Sequence, residues 1–194
     1  MAPRARVTYF AVPMWESSNR PYVAAMEKVL ALNRTLPPEE RIRAVSISNG
    51  NFARQADSTD WRQVRERAGR EGILLITCEG LPFRYGMVRR ARGADPDDPR
   101  AWARDAHYSS DEDVLRVPGT RTLASPAGHD VYTFFPQGGM SWGAPYLAGL
   151  AALACQVRPG IRPEEIVAAL IASTTRTATG SIVNPQGFID RLRR

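Results

Sequence analysis

Ser141 is the residue of this chain best placed for covalent chemistry. It stands in Gly139-Met140-Ser141-Trp142-Gly143-Ala144-Pro145, ahead of the apolar run Tyr146-Leu147-Ala148-Gly149-Leu150-Ala151-Ala152-Leu153. Small neighbours let a carbonyl carbon approach a hydroxyl. A helix beginning there would offer unpaired backbone N–H groups, and the positive end of its dipole, to a developing oxyanion. The pattern predicts Ser141 at the N-terminal end of a helix running to about Val157, with its hydroxyl at a surface cleft. The plainer alternative is a glycine-rich turn whose serine only caps a core helix.

A serine nucleophile needs a base, and chain order limits the choices. Gly139-Met140-Ser141-Trp142-Gly143 fits the G-x-S-x-G elbow of α/β-hydrolases, in which an acid and then a histidine follow the serine. Only Glu164, Glu165 and Asp190 are acids after Ser141, and the two histidines, His107 and His129, both precede it. That triad cannot be completed. The order acid, histidine, serine remains compatible with this chain.

The longer context resembles the serine motif of subtilisin-like (S8) peptidases, usually G-T-S-M-A-x-P-x-V-A-G-x-x-A-L. Gly139, Ser141, Ala144, Pro145, Ala148, Gly149, Ala152 and Leu153 fall in register, while Met140 and Trp142-Gly143 depart from the pattern. Gln156 to Pro159 and Ile161 to Ile166 look like the family's link into its next helix. Ala2-Pro3-Arg4-Ala5-Arg6-Val7 looks like the start of a core strand. Arg43 to Gly50 is similar to the strand that ends in the substrate cleft. Gly72 to Gly80 is similar to the strand that leads to the oxyanion asparagine, where Leu81 stands instead.

This resemblance implies a three-layer α/β fold, a mostly parallel sheet with helices on both faces. It implies a single domain over residues 1–194, N-terminally incomplete, because the family's catalytic aspartate and histidine precede the strand at Ala2-Pro3. It implies a serine-type endopeptidase acting through a Ser141 acyl-enzyme, with the Ser141 backbone N–H in the oxyanion hole. Ser48, Asn49 and Gly50 would line the cleft and bind an extended peptide or protein substrate. No cofactor and no metal are expected, and a preceding segment of chain is an expected partner. The alternative is an inactive peptidase-like binding module that keeps the cleft. His107 and His129 are expected as exposed loop residues.

Composition bounds the rest. At 194 residues with 43% hydrophobic content, the chain is long enough for a real core. Its net charge of +6 comes almost wholly from arginine. The arginines form no run of five or more and do not interleave with aromatic residues, so nucleic acid is not expected as a partner. No apolar run approaches 18 residues and no charged n-region opens the sequence, so neither a membrane span nor a signal peptide is expected, and the cytoplasm is the default location. Cys78 and Cys155 lack metal-site spacing and are expected as free thiols. Asp95, Asp97 and Asp98 are expected in a solvated turn.

Periodicity predicts the elements that must hold Ser141. Val7–Val12 reads as a buried strand, 21–36 as a helix, Ile42–Ser48 as a strand closed by the Asn49-Gly50 turn, and the residues after Asp57 or Ser58 as a second helix. Ile73–Cys78 reads as a strand lying parallel to Ile42–Ser48, and both are expected to be buried. Arg89 to Arg104 reads as loop, Val114–Val117 and Val131–Phe135 as short strands. Pro163–Ser173 reads as a helix, and Asn184-Pro185 caps a last short one.

Overall fold

A computed structural model describes residue 2 and residues 5–13, 15–80, 82–124 and 131–194. Its helices are α1 (Arg20–Thr35), α2 (Ser58–Arg70), α3 (Met140–Val157), α4 (Pro163–Ala172) and α5 (Pro185–Leu192). Its strands are β1 (Ala44–Ile47), β2 (Leu74–Thr77), β3 (Tyr85–Arg90), β4 (Trp102–Arg104), β5 (Leu115–Pro118), β6 (Arg121–Ala124), β7 (Tyr132–Phe135), β8 (Thr175–Thr177) and β9 (Gly180–Ile182). The fold is α/β and fits a partial subtilisin-like architecture.

β1 and β2 pair in parallel, Ala44 opposite Leu74 and Ile47 opposite Thr77. The α2 helix is the crossover that parallel pairing requires. Successive β2 side chains alternate between two cores. Leu74 and Ile76 join Leu147, Leu150 and Ala151 of α3 on one face. Ile73 and Leu75 join Met26, Leu30, Trp61 and Val64 of α1 and α2 on the other. This alternation makes three layers from one short strand. Every residue of β2 is buried, whereas β1 is half-buried with Ser46 exposed. The expectation that both strands are buried therefore holds for β2 alone. β1 lies at the edge of a two-stranded sheet, so among the described residues its outer side has no covering strand.

A second, five-stranded sheet runs β4-β3-β5-β9-β8. Its centre is parallel, β3 with β5 and β5 with β9, and its rims are antiparallel. β6 and β7 form a separate antiparallel ribbon. The run Val7–Val12 is not a strand. Val7 and Tyr9 are each 86% exposed, and only Phe10 and Val12 pack on the α1–α2 core.

Asp57 shows how the helix starts are coupled. It occupies the N-cap of α2 but makes no capping bond there. Its carboxylate instead accepts the Ser18 hydroxyl at 2.6 Å and the Asn19 and Arg20 N–H groups at 2.9 and 3.1 Å, at the start of α1. Asn19, the N-cap residue of α1, makes no capping bond and turns its amide to donate to the Phe52 carbonyl at 2.8 Å. The first turn of α1 holds no acid of its own, so Asp57 supplies the anion its N-terminus favours. The Ser18 hydroxyl, followed by the Asn19 N–H, holds the Asp57 carboxyl below the usual carboxylate range. Its share of stability is thus fully present above the unfolded carboxylate pKa of about 3.9. That share is lost as pH falls through the lower folded value. Urea midpoints measured down the acid range should fall less steeply for Asp57→Asn than for the unaltered chain; identical acid slopes would contradict this role.

Candidate active site

The α3 helix begins at Met140 with Gly139 as its N-cap, so Ser141 lies in the first helical turn, exposed, as the sequence predicts. Its backbone N–H has no acceptor among the described residues, as expected of a helix start. Two packing requirements put the helix here. Gly143 lies against the Tyr85 ring, where a Cβ would sit 2.7 Å from Cε2. The Tyr85 hydroxyl donates to the Thr77 carbonyl at 3.1 Å, with the Met140 carbonyl at 3.4 Å, joining β2 to the helix start. Burial pushes the Tyr85 phenol well up, so it stays a neutral donor.

Pro145 sets the second contact. It has no N–H to give to the carbonyl four residues back, which leaves the Ser141 carbonyl without its helical partner. The Ser48 hydroxyl donates to that carbonyl at 3.0 Å. In return the Ser141 hydroxyl donates to the Ser48 carbonyl at 3.4 Å. The end of β1 and the start of α3 are therefore tied by a reciprocal serine pair.

Ser48, Asn49 and Gly50 all lie at this junction. The Asn49 amide donates to the Tyr22 hydroxyl at 2.6 Å, and the Asn49 carbonyl accepts the Cys78 N–H at 2.9 Å. The Gly50 N–H is taken by the Asn49 side chain at 2.8 Å. Asn49-Gly50 marks the turn in the sequence, but the left-handed residue is Asn51, with φ 69°. Asparagine tolerates that conformation better than most residues.

Cys78, absent from the sequence-based site, lies next to the serine. Its Sγ is 3.8 Å from Ser141 Oγ. Burial pushes the Cys78 thiol up, and the Ser141 hydroxyl only partly offsets this. Cys78 is therefore a thiol, not a thiolate, near neutral pH. Iodoacetamide should modify it slowly at neutral pH in a Cys155→Ser background, with a rate that still climbs above the ordinary thiol range. A rate that levels off below that range would contradict the buried environment. Cys155 is likewise free.

A cavity of about 380 Å³ opens beside Cys78 and Met140 and includes Glu79, Tyr108 and His107. His107 is exposed, as expected, with its ring edge-on to Tyr108 at 4.4 Å. The His107 backbone N–H donates to Asp105 Oδ1 at 3.1 Å. His107 makes no hydrogen bond to Ser141. The signal that could have found this cavity was weak, since its wall between Arg84 and Asp113 matches no motif. Leu81 and His129, discussed from sequence as a lost oxyanion donor and a loop histidine, lie outside the described residues. Among the described residues no cluster of three His, Cys, Asp or Glu side chains could hold a metal ion, and no helix is long and apolar enough to cross a membrane. Asp95 and Asp98 close local turns by accepting the Asp97 and Arg100 N–H groups.

Comparisons with known proteins bear on this geometry at the level of fold. No family model matches the chain, and no curated protein matches it by sequence. Solved structures do match. One is the subtilase cytotoxin SubAB assembly, with TM-score 0.64 and 15% identity over 89% of this chain and 65% of that one. Another is the prenylagaramide maturation protease PagA, with TM-score 0.56 and 23% identity over 94% of this chain and 70% of that one. A third is the serine protease MycP1 of the type VII (ESX-1) secretion system, with TM-score 0.50 and 15% identity over 95% of this chain and 62% of that one. The chain thus spans about two thirds of the length of the structures it matches. Membership of the subtilisin-like peptidase family, as the C-terminal two thirds of its catalytic domain without the aspartate and histidine, is the reading that has to be corrected. Identities of 13% to 23%, with no matching family model, reach the fold and stop short of the family. The chain has a protease-like fold.

Proposed function

We propose that Ser141 is the nucleophile of a serine-type endopeptidase site that takes extended peptides along Ser48, Asn49 and Gly50. The observation that carries this reading is the exposed Ser141 hydroxyl in the first turn of α3, beside its own unpaired N–H and against the Ser48–Gly50 loop. In the reaction Ser141 Oγ attacks the scissile carbonyl and its proton passes to a base. The Ser141 N–H holds the resulting oxyanion, the amine leaves with a proton, and water then releases the acyl group from Oγ. Substrate would pair with the loop as an added strand. It must displace two internal bonds to do so, since Ser48 O and Gly50 N are already engaged.

One observation favours a second reading, a peptide-binding module without catalysis. The Ser141 hydroxyl donates to a carbonyl, and no described histidine accepts from it. A peptidyl boronate and the matching peptide amide separate the two readings. At a catalytic serine the boronate binds at least ~10²-fold more tightly, as transition-state analogues do, and Ser141→Ala removes the difference. Equal affinities, unchanged in Ser141→Ala, would support the binding module and overturn the catalytic reading.

A further inference from the structure

The β6–β7 ribbon carries an unsatisfied positive charge that the sequence does not reveal. Arg121 lies opposite Phe135 and Thr122 opposite Phe134. Neighbouring residues on a strand point to opposite faces, so Arg121 and Phe135 share one face and Phe134 the other. On the first face the Arg121 guanidinium lies over the Tyr146 ring at 5.2 Å, and Phe135 meets Trp142 edge-on at 5.5 Å. On the second face Arg90 and Arg92 both lie over Phe134, at 5.5 and 5.4 Å from its centroid. Two arginines from the end of β3 and just beyond it thus lie over an aromatic ring of the ribbon, and a third, on β6 itself, lies over an aromatic ring of α3.

None of the three has a carboxylate partner among the described residues. Arg90 Nε and Arg121 Nη2 are buried without a hydrogen-bond acceptor. Burial pulls the Arg121 guanidinium down from its usual value, the sign of a cation held out of water without a counter-charge. Such a group costs folding free energy that an incoming anion would recover. The ribbon also exposes apolar surface. Tyr132 is 68% exposed and Val131 53%. Among the described residues it has two strands, each with an open edge.

We propose that the β6–β7 ribbon docks an extended, acidic segment of a partner protein along an open strand edge, its adjacent carboxylates reaching Arg121 on one face and Arg90 and Arg92 on the other. An added strand projects side chains to both faces in turn, which matches cations divided between the two faces. Exposed Tyr132 and Val131 give apolar side chains between the carboxylates a surface to cover. The inference is independent of any chemistry at Ser141.

The probe is a labelled peptide of about ten residues repeating Glu-Glu-Thr-Thr, so that neighbouring glutamates face opposite sides of the added strand, and its length more than spans the ribbon. Fluorescence anisotropy with the full chain should show saturable binding that weakens with salt. The same peptide with glutamine for glutamate should bind at least about tenfold more weakly. Arg92→Ser, which alters an exposed guanidinium and leaves the core intact, should weaken binding by about two- to fivefold. The double variant Arg90→Ser/Arg92→Ser should weaken it further, with circular dichroism reporting whether it folds. Alternate N-methylation of the peptide should abolish binding, because it removes the strand's donors. Equal binding of the glutamine peptide, no change in Arg92→Ser, or full binding of the N-methylated peptide would each overturn the proposal. Tighter binding of a thymidine oligonucleotide than of the glutamate peptide would also overturn it, and would point to a polyphosphate site.

Discussion

Peptide hydrolysis by the 194-residue chain is expected at no more than a residual rate, on the order of 10⁶ below a serine site with its base in place. A serine hydroxyl at neutral pH is a weak nucleophile until something removes its proton. Here that proton is directed at the Ser48 carbonyl, which is no base, at an oxygen–oxygen distance of 3.4 Å. The neighbouring Cys78 is a neutral thiol and cannot serve either. A chromogenic peptide assay with fluorophosphonate labelling measures the outcome, with Ser141→Ala as reference. Robust turnover abolished by Ser141→Ala would show a base already on the chain, and His107→Ala against His129→Ala would then identify it. A bell-shaped or sigmoid pH profile would accompany such a base. Turnover that appears only when further sequence or a partner is supplied would place the base outside these residues.

The largest expected effect on stability is at Asp113. Its side chain is 6% exposed and that of its ion-pair partner Arg116 is 5% exposed. Arg116 Nη2 also donates to the Ser110 carbonyl at 2.6 Å, and Asp113 accepts the Ser110 N–H at 2.7 Å. The pair therefore holds the loop before β5 against the β8–β9 hairpin, whose Thr179 carbonyl accepts from Arg116 Nε at 3.4 Å. Asp113→Ala leaves a buried guanidinium without a counter-ion, at a cost of about 3–5 kcal/mol. Against a total stability of roughly 5–15 kcal/mol, most of the chain's margin is lost. Urea denaturation reads this directly, and a loss below about 1 kcal/mol, the scale of a surface pair, would refute the buried-pair account. Gly86→Ala tests the same cradle from the other side. A Cβ there would run into the Asp113 carboxylate and the Ser109 hydroxyl, and would lie 2.7 Å from Arg116 Nη1. Replacing both charges by apolar side chains of similar size should recover much of the loss, because desolvation offsets much of what such a pair contributes.

What the sequence made legible follows from how strongly each segment repeats. α3 was readable because its apolar run is long and opens on small residues, and its start was placed within a residue of Ser141. β2 was readable because four consecutive apolar or small side chains are buried. Its neighbour β1 was located as well, although its outer side is open. β3 was hidden, since Arg89 and Arg90 at its end made the region read as loop. Val7–Val12 had the reverse fault: an apolar run with no strand beside it remains exposed. At the site, the Ser48–Ser141 proximity followed from the motifs. The contribution of Cys78 and the cavity at His107 depended on packing between segments that no local pattern specifies. The convergence of Arg90, Arg92 and Arg121 on aromatic rings depended on strand register in the same way.

On the proposed reading, the reciprocal serine pair couples two properties that are usually discussed apart, occupancy of the cleft and readiness of the nucleophile. Ser48 O is the acceptor that holds the Ser141 hydroxyl and, in the proposed binding mode, the acceptor an added strand would take. A peptide N–H that takes this carbonyl competes directly with the hydroxyl, so filling the groove and releasing Oγ are one thermodynamic event. By reciprocity, anything that turns the Ser141 hydroxyl elsewhere must tighten strand binding by the same factor. The origin of this linkage is the imino nitrogen of Pro145, which leaves the Ser141 carbonyl free for Ser48 and so brings the two residues together.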